Sequence, residues 1–381
     1  MSDASTAPTT NVPPPAKKPG TVRLLGRGLL AAILLIAAYL LFWPSPIDPV
    51  PYEPPPIPPL VGALAPNEEL ASAELIAVGK VDGPEDVEVD AQGRIVTGLA
   101  DGRIVRVDPD GTVNTLVNTD GRPVGIATAP DGNLIVADAV KGLLSITPEG
   151  EVTLLANGAG NEPLGFADDV TVARDGTIYF SDASTKFGPN EYLYDMLEGR
   201  PHGRLVRYDP STKTTTVLLP DMCFANGVAL SQNEDFLVVN ETYRFRILRY
   251  WLKGERAGEW DVFADNLPGY PDNITQSGHG TFWLALFTVR NEQADWLSPR
   301  PFVKSVMAKL PALLWPKPQP YAFVVQLDEG GKFINSLQDP TGQHLREVTS
   351  AFERDGYLYL GSLHNDRIGR YKLPGEAATT P

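Results

Sequence analysis

Hydrophobic and polar residues alternate with a period of two in short runs along most of the chain, and Gly-containing turns separate the runs. Residues 165–184 show the unit. Asp168-Asp169-Val170-Thr171-Val172 leads to the turn Asp175-Gly176, then to Ile178-Tyr179-Phe180-Ser181-Asp182. Alternation around an Asp-Gly pair predicts a β-hairpin. The same pattern returns at 84–98, 123–138, 225–239, 271–285 and 346–360, with turns at Gln92-Gly93, Asp131-Gly132, Asn233-Glu234, His279-Gly280 and Asp355-Gly356. Further runs after each hairpin, such as Gly102-Arg103-Ile104-Val105-Arg106-Val107, supply a third and a fourth strand. Six four-strand units at a spacing of roughly 40 residues or more predict an all-β fold, a six-bladed β-propeller over residues 73–373. The last unit runs out one strand short, and residues 73–78 are placed to complete it and close the ring. An open β-solenoid is the competing architecture.

A different pattern precedes the repeats. Residues 1–23 are rich in Pro, Thr, Ala and Ser and are expected to be a disordered leader. Residues 24–43 are apolar except at Arg27, with no charge from Gly28 to Trp43, and with their flanks are just long enough to form a transmembrane helix. Lys17, Lys18, Arg23 and Arg27 lie before it, and Asp48 and Glu53 follow. The positive-inside rule then places the N-terminus in the cytoplasm and the propeller on the extracytoplasmic (periplasmic) side. A cleaved signal peptide is the alternative. The long polar leader, and the aromatics ending the apolar run without a small-x-small site, argue for an uncleaved anchor. Residues 44–72 are Pro-rich and are expected to be a stiff spacer; residues 374–381 form a short tail.

The net charge of −15 and pI near 4.7, with no basic cluster in the folded part, exclude nucleic acid as a partner. Cys223 is the single cysteine, so no intramolecular disulfide can form.

In a propeller the first strand of each blade lines the central channel, so equivalent positions form a ring. Two residues before the β-branched residue opening each first strand stand Glu85, Val124, Asp168, Asn226, Asp272 and Arg346. Asp86, Asp169 and Asn273 come next along the chain. Carboxylates converging on an axis repel one another, and burial penalises their charge. A cation compensates both. Oxygen ligands without His or Cys favour a hard ion, and irregular geometry favours Ca²⁺. A water-filled channel whose acids pair with Arg346 is the alternative. Two long insertions, 185–202 and 288–320, fall on the ring side of the propeller and are expected to act as lids. Their apolar content is consistent with a hydrophobic substrate, with contact to the membrane, or with packing on the propeller. His202, His344 and His364 fall on the same side, and His279 on the far side.

The segments Phe166-Ala167-Asp168-Asp169-Val170, Asp175-Gly176-Thr177-Ile178-Tyr179-Phe180-Ser181-Asp182 and Asn226-Gly227-Val228-Ala229-Leu230-Ser231 resemble the strictosidine synthase family. The membrane-anchored layout is similar to its adipocyte plasma membrane-associated branch. The resemblance implies kinship with gluconolactonases (regucalcin), paraoxonases and diisopropylfluorophosphatase, six-bladed propellers with axial Ca²⁺ that hydrolyse lactones, aryl esters or organophosphates. It implies metal ligands at Glu85, Asp168, Asn226 and Asp272, with Asn273 matching the paraoxonases. Asp168 stands where Asn is usual, and Val124 where the paraoxonases carry a catalytic histidine. Strictosidine synthase itself works without metal through a Glu near the last blade, for which Glu347 is the nearest match. The expectation is a membrane-anchored, Ca²⁺-dependent hydrolase acting on a small apolar ester or lactone. Asp272 or Asp168 would serve as nucleophile or base, and Arg346 would orient an anionic group. The rivals are an amine–aldehyde condensing enzyme and a non-catalytic binding propeller.

Overall fold

The computed structural model describes residues 21–375, so most of the expected leader and the end of the tail lie outside the described residues. The chain divides into two units, one up to Ser45 and one from Pro46 onward. The first is a single helix, α1 (Thr21–Phe42). It is apolar all round, with Leu29, Ile33, Leu34 and Ile36 all exposed, which fits a lipid environment and not a surface helix. Its 20 residues from Arg23 to Phe42 are long and apolar enough to cross a membrane.

The second unit is the six-bladed propeller. The innermost strands of blades 1 to 6 are Val87–Val89, Pro123–Thr128, Ala167–Val172, Ala225–Leu230, Gly269–Gln276 and Val348–Arg354. Each opens a four-stranded antiparallel sheet. Blade 6 is completed by the first strand of the unit, Glu74–Ile76, which pairs antiparallel with Ile368–Lys372 in the register Glu74↔Arg370 and Ile76↔Ile368. Arg370 seals that seam with an ion pair to Glu74 at 2.5 Å. Closure joins the two ends of the repeat region, as the missing strand in the sequence requires.

Alternation buries both faces of each inner strand against neighbouring blades. Phe236 and Val238 of blade 4 pack with Phe282, Leu284 and Phe323 of blade 5 in one such layer. Each fully buried side chain of this size contributes roughly 1.5–3 kcal/mol. Near the axis the strands approach so closely that two positions tolerate no side chain. A Cβ on Gly125 would lie 2.5 Å from the Asp168 carbonyl, and one on Gly227 would collide with the Asp272 carbonyl.

Both long insertions cover one end of the propeller. The first carries α2 (Tyr192–Glu198); the second carries α3 (Glu292–Leu297) and α4 (Pro301–Met307). Their apolar residues pack on each other, with Phe187, Leu197, Leu297 and Trp315 in one cluster.

The Pro-rich segment is not only the stiff spacer expected from its composition. From Pro46 it is a strap packed on the folded unit. Ile47 is buried in the lid cluster. Val50 N–H donates to the Glu198 carbonyl at 3.0 Å, and Tyr52 N–H to Ser298 at 3.2 Å. Further along, Arg290 Nη2 donates to Pro55 O at 2.6 Å, Asn266 Nδ2 to Pro56 O at 3.0 Å, and Gln338 Nε2 to Leu64 O at 3.2 Å. Proline lacks an N–H but keeps its carbonyl, so an extended Pro-rich chain is a row of acceptors. The propeller and lid supply the donors.

Arg290 is the strap's firmest hold. Its side chain is fully buried, ion-paired to Asp295 at 2.7 Å and stacked over Phe245 at 4.2 Å. Arg290→Met should lower unfolding stability by about 3 kcal/mol, because Asp295 loses its counter-charge. It should also expose residues 46–66 to limited proteolysis. Unchanged unfolding and cleavage would show that the strap is held elsewhere.

Candidate active site

A β-bulge shapes the ring. The pairing register shifts between Ala167 and Val170 in blade 3, between Ala225 and Val228 in blade 4, and between Pro271 and Ile274 in blade 5. A bulge re-aims the residues within it, and here these are Asp168, Asn226 and Asp272. Together with Glu85 of blade 1 they are buried and line a single cavity of about 660 Å³. Four of the predicted ligand positions therefore come together.

The fifth and the ring arginine are placed differently. Asn273 is 1% exposed, does not line the cavity, and has no hydrogen-bond partner for either atom of its amide. Arg346 is off the ring. In blade 6 the register shift lies between Val348 and Ser350, so the ring residue is Thr349, whose hydroxyl donates to the Glu85 carbonyl at 2.6 Å. Arg346 lies three residues upstream, exposed, with its carbonyl accepting from Ser362 and Asn365. Counting back from Val348 placed it on the ring because the bulge follows that valine.

The cation that does meet the ring is Arg122, 3.3 Å from Glu85 and mostly buried. Its sequence signals are its place two residues before the ring residue Val124 and the segment Gly121-Arg122-Pro123, which also fits the family resemblance. Asp86 and Asp169 have a structural task instead. Asp86 accepts from the amides of Val87 and Ile126, and Asp169 from those of Val170 and Val228, at 2.7–2.9 Å. Each carboxylate thus ties the start of its own strand to a neighbouring blade.

Electrostatically the floor is under strain. Burial, then repulsion from Glu85 and Asp272, holds the Asp168 carboxyl well above the usual range. Burial and Glu85 do the same to Asp272, against a hydrogen bond from Asn226. Burial pushes Glu85 up to about 7, with Arg122 and His364 opposing. Asp168 Oδ2 and Asn226 Oδ1 are buried with no hydrogen-bond partner. Buried polar atoms are normally satisfied, so these two orphaned oxygens among crowded acids are the atoms here that could hold a cation. All the donors are oxygens, which fits a hard ion. Among the described residues no three His, Cys, Asp or Glu side chains form a preformed metal cluster by themselves; the convergent set includes the amide of Asn226.

The walls are aromatic. Phe166 and Phe224 meet edge-on at 5.6 Å, Tyr243 stacks on Phe224 at 4.7 Å, and Tyr192, Tyr270 and Phe287 complete the lining. Of the histidines, His364 lines the cavity, with Nδ1 2.7 Å from Glu347 and its ring against Phe287. Glu347 is buried and held at a left-handed φ of 50°. His202 is bound to Glu198 at 2.7 Å, His344 to the Ala73 carbonyl at 2.6 Å, and His279 is exposed near Glu353.

Comparison with known proteins follows this geometry. A family profile described as Strictosidine synthase matches residues 168–255, and one described as Strictosidine synthase-like, N-terminal, matches residues 62–107. The adipocyte plasma membrane-associated protein of Bos taurus is 38% identical over 383 residues, covering 91% of this chain and 92% of that one. Protein strictosidine synthase-like 6 of Arabidopsis thaliana is 40% identical over 326 residues, covering 83% and 85%. Among solved structures, a gluconolactonase from Xanthomonas campestris superposes with a TM-score of 0.59 at 20% identity, covering 87% of this chain and 99% of that one. A calcium-binding regucalcin from Agrobacterium tumefaciens gives 0.56 at 13% identity, covering 78% and 93%. At those identities the shared property is the fold.

The lid carries its own titrating group. Asp195 on α2 is buried, accepts from the Ser184 hydroxyl at 2.5 Å, and leaves its other oxygen unpartnered. Burial raises its carboxyl from 3.8 to about 7, with Ser184 opposing. A raised carboxyl contributes stability that is complete below the unfolded value and is lost as pH rises through the folded one. Relative to Asp195→Asn, the wild type should therefore lose roughly 2–4 kcal/mol of stability between pH 4 and pH 8. Chemical unfolding of both proteins across that range reads the difference, and parallel curves would contradict it.

Proposed function

This chain belongs to the strictosidine synthase-like family that includes the adipocyte plasma membrane-associated proteins, and from that premise we propose that it is a membrane-anchored hydrolase of apolar lactones or aryl esters with Ca²⁺ as its cofactor. The observation that carries the reading is the pair of orphaned buried oxygens, Asp168 Oδ2 and Asn226 Oδ1, at the floor of an aromatic-walled cavity. Glu85, Asp168, Asn226 and Asp272 would hold the ion, and a bound divalent cation supplies Lewis-acid polarisation of an ester carbonyl. Arg122 balances part of the acidic charge through Glu85. The aromatic walls and the lid orient an apolar acyl or aryl group and keep bulk water from it. Asp272 or Asp168 would take a proton from an attacking water or attack directly.

A metal-free condensation of an amine with an aldehyde is the second reading. Buried Glu347, bound to His364 at the cavity wall, is the observation that favours it.

The two readings separate in one experiment on the full-length protein in detergent. Hydrolysis of phenyl acetate and δ-valerolactone should require Ca²⁺ and stop in EDTA. Asp272→Ala should lose Ca²⁺ binding and at least about 100-fold in kcat/KM, the scale of removing an oxyanion-stabilising group. No hydrolysis, with condensation of tryptamine with an aldehyde that persists in chelator and disappears in Glu347→Gln, would move the assignment to condensation. For the anchor, alkaline phosphatase fused after Pro381 should be active, because we infer that the propeller lies outside the cytoplasm from the basic residues preceding α1. An inactive fusion would reverse that orientation.

A further inference from the structure

The lid side of the same cavity carries charge of the opposite sign. Lys304 of α4 is 3% exposed and lines the cavity. Its ammonium donates to the Val50 carbonyl at 2.6 Å. Arg244 follows the second strand of blade 4, in the short turn Thr242–Arg244, and lines the cavity too. Its guanidinium donates to the carbonyls of Tyr243 and Gly199 at 3.3 and 3.0 Å and covers the Tyr52 ring at 4.1 Å. The two cations meet at Gly199. A Cβ there would lie 3.5 Å from Lys304 Nζ, while the Gly199 carbonyl holds Arg244.

Among the described residues neither cation has a carboxylate within ion-pair distance. Glu198 is the acid acting on Lys304, and its oxygens are already taken by Lys186 at 2.6 Å, His202 at 2.7 Å and the Asp48 amide at 2.8 Å. Burial and the neighbouring Arg244 hold the Lys304 ammonium down to about 8. Carbonyl dipoles orient such cations without neutralising them. A latch for the strap needs one donor to one carbonyl, and a buried lysine beside a half-buried arginine on a cavity wall exceeds that need. Lys317, exposed at the rim, adds a third positive charge.

We propose that Arg244 and Lys304 form an anion subsite at the lid end of the cavity, and that its ligand is therefore an amphiphile with an apolar body and a terminal carboxylate or phosphate. Arginine and lysine side by side suit both groups, the first by planar two-point donation and the second as a point charge. The cation pair lies at the lid and the proposed reaction at the floor, so the two ends of the cavity set the ligand's direction: anionic group at the lid, electrophilic carbonyl toward Asp168 and Asp272. The orientation rests on the hydrolase reading; the anion subsite itself is tested by binding alone.

The test is isothermal titration of the full-length protein in maltoside micelles, corrected against empty micelles. The probes are three ligands sharing one apolar body: 4-phenylbutyrate, 4-phenylbutyl phosphate and 4-phenylbutanol. At least one anion should bind tenfold or more tightly than the alcohol, and the tighter of the two identifies the preferred group. Lys304→Met and Arg244→Gln, each checked for native near-UV dichroism, should each reduce the preference at least threefold while leaving alcohol binding within twofold. Equal affinity for all three ligands in the wild type overturns the proposal, and that comparison needs no variant. A preference that survives both substitutions also overturns it. Anion preference without ester or lactone turnover would leave the subsite standing and remove the hydrolase reading, while turnover without preference would do the reverse.

Discussion

Burial of three carboxyls at the propeller axis, with the repulsion between them added to it, is the constraint that the rest of the molecule answers. Unit charges about 4 Å apart interact by roughly 4 kcal/mol at an effective dielectric near 20, and a domain's whole stability margin is of the order of 5–15 kcal/mol. Three acids from three blades cannot share one floor without compensation. The chain supplies part of it with Arg122 beside Glu85 and with a neutral amide, Asn226, in place of a fourth acid. The orphaned oxygens of Asp168 and Asn226 are where the proposed cation would supply the rest.

The same acids explain the geometry around them. The bulges that turn Asp168, Asn226 and Asp272 toward the cavity break the strand ladder where adjacent blades come closest. Asp86 and Asp169 make up for this by accepting backbone amides from neighbouring blades, and Gly125 and Gly227 give the backbones room to meet. Above the floor, the lid and strap behave as one structure. The strap's carbonyls take donors from Arg290, Lys304 and Asn266, so the segment leading into the propeller is part of the cavity's rim. The cavity that results is acidic at the floor, aromatic along the walls and cationic beneath the lid.

Period-two alternation, the recurring turns and the short final repeat were enough to define six blades and their closure, because strand pairing in a propeller is local: each strand bonds to its sequence neighbour, and only Glu74–Ile76 must reach across the chain. Repetition also made Glu85, Asp168, Asn226 and Asp272 legible as one set, since equivalent places in equivalent blades meet at the axis. Where repetition breaks, so does the reading. Thr349, not Arg346, holds the sixth position, because a bulge moves the register by an amount that composition does not record. The pairing of Arg122 with Glu85 was not legible, since nothing in its neighbours marks the two as partners.

The sequence alone thus determined the propeller, the apolar helix before it and four oxygens of the floor, all consequences of periodicity and local pairing. Tertiary structure alone decided what the irregular segments do. It turned a Pro-rich stretch into a docked strap, because acceptors need donors that lie more than 200 residues away. It brought Arg244 and Lys304 to one glycine across 60 residues of intervening chain, roughly a blade and a half at the propeller's repeat length. Long-range charge and hydrogen-bond contacts of this kind leave no period in the chain, and they set the cavity's polarity.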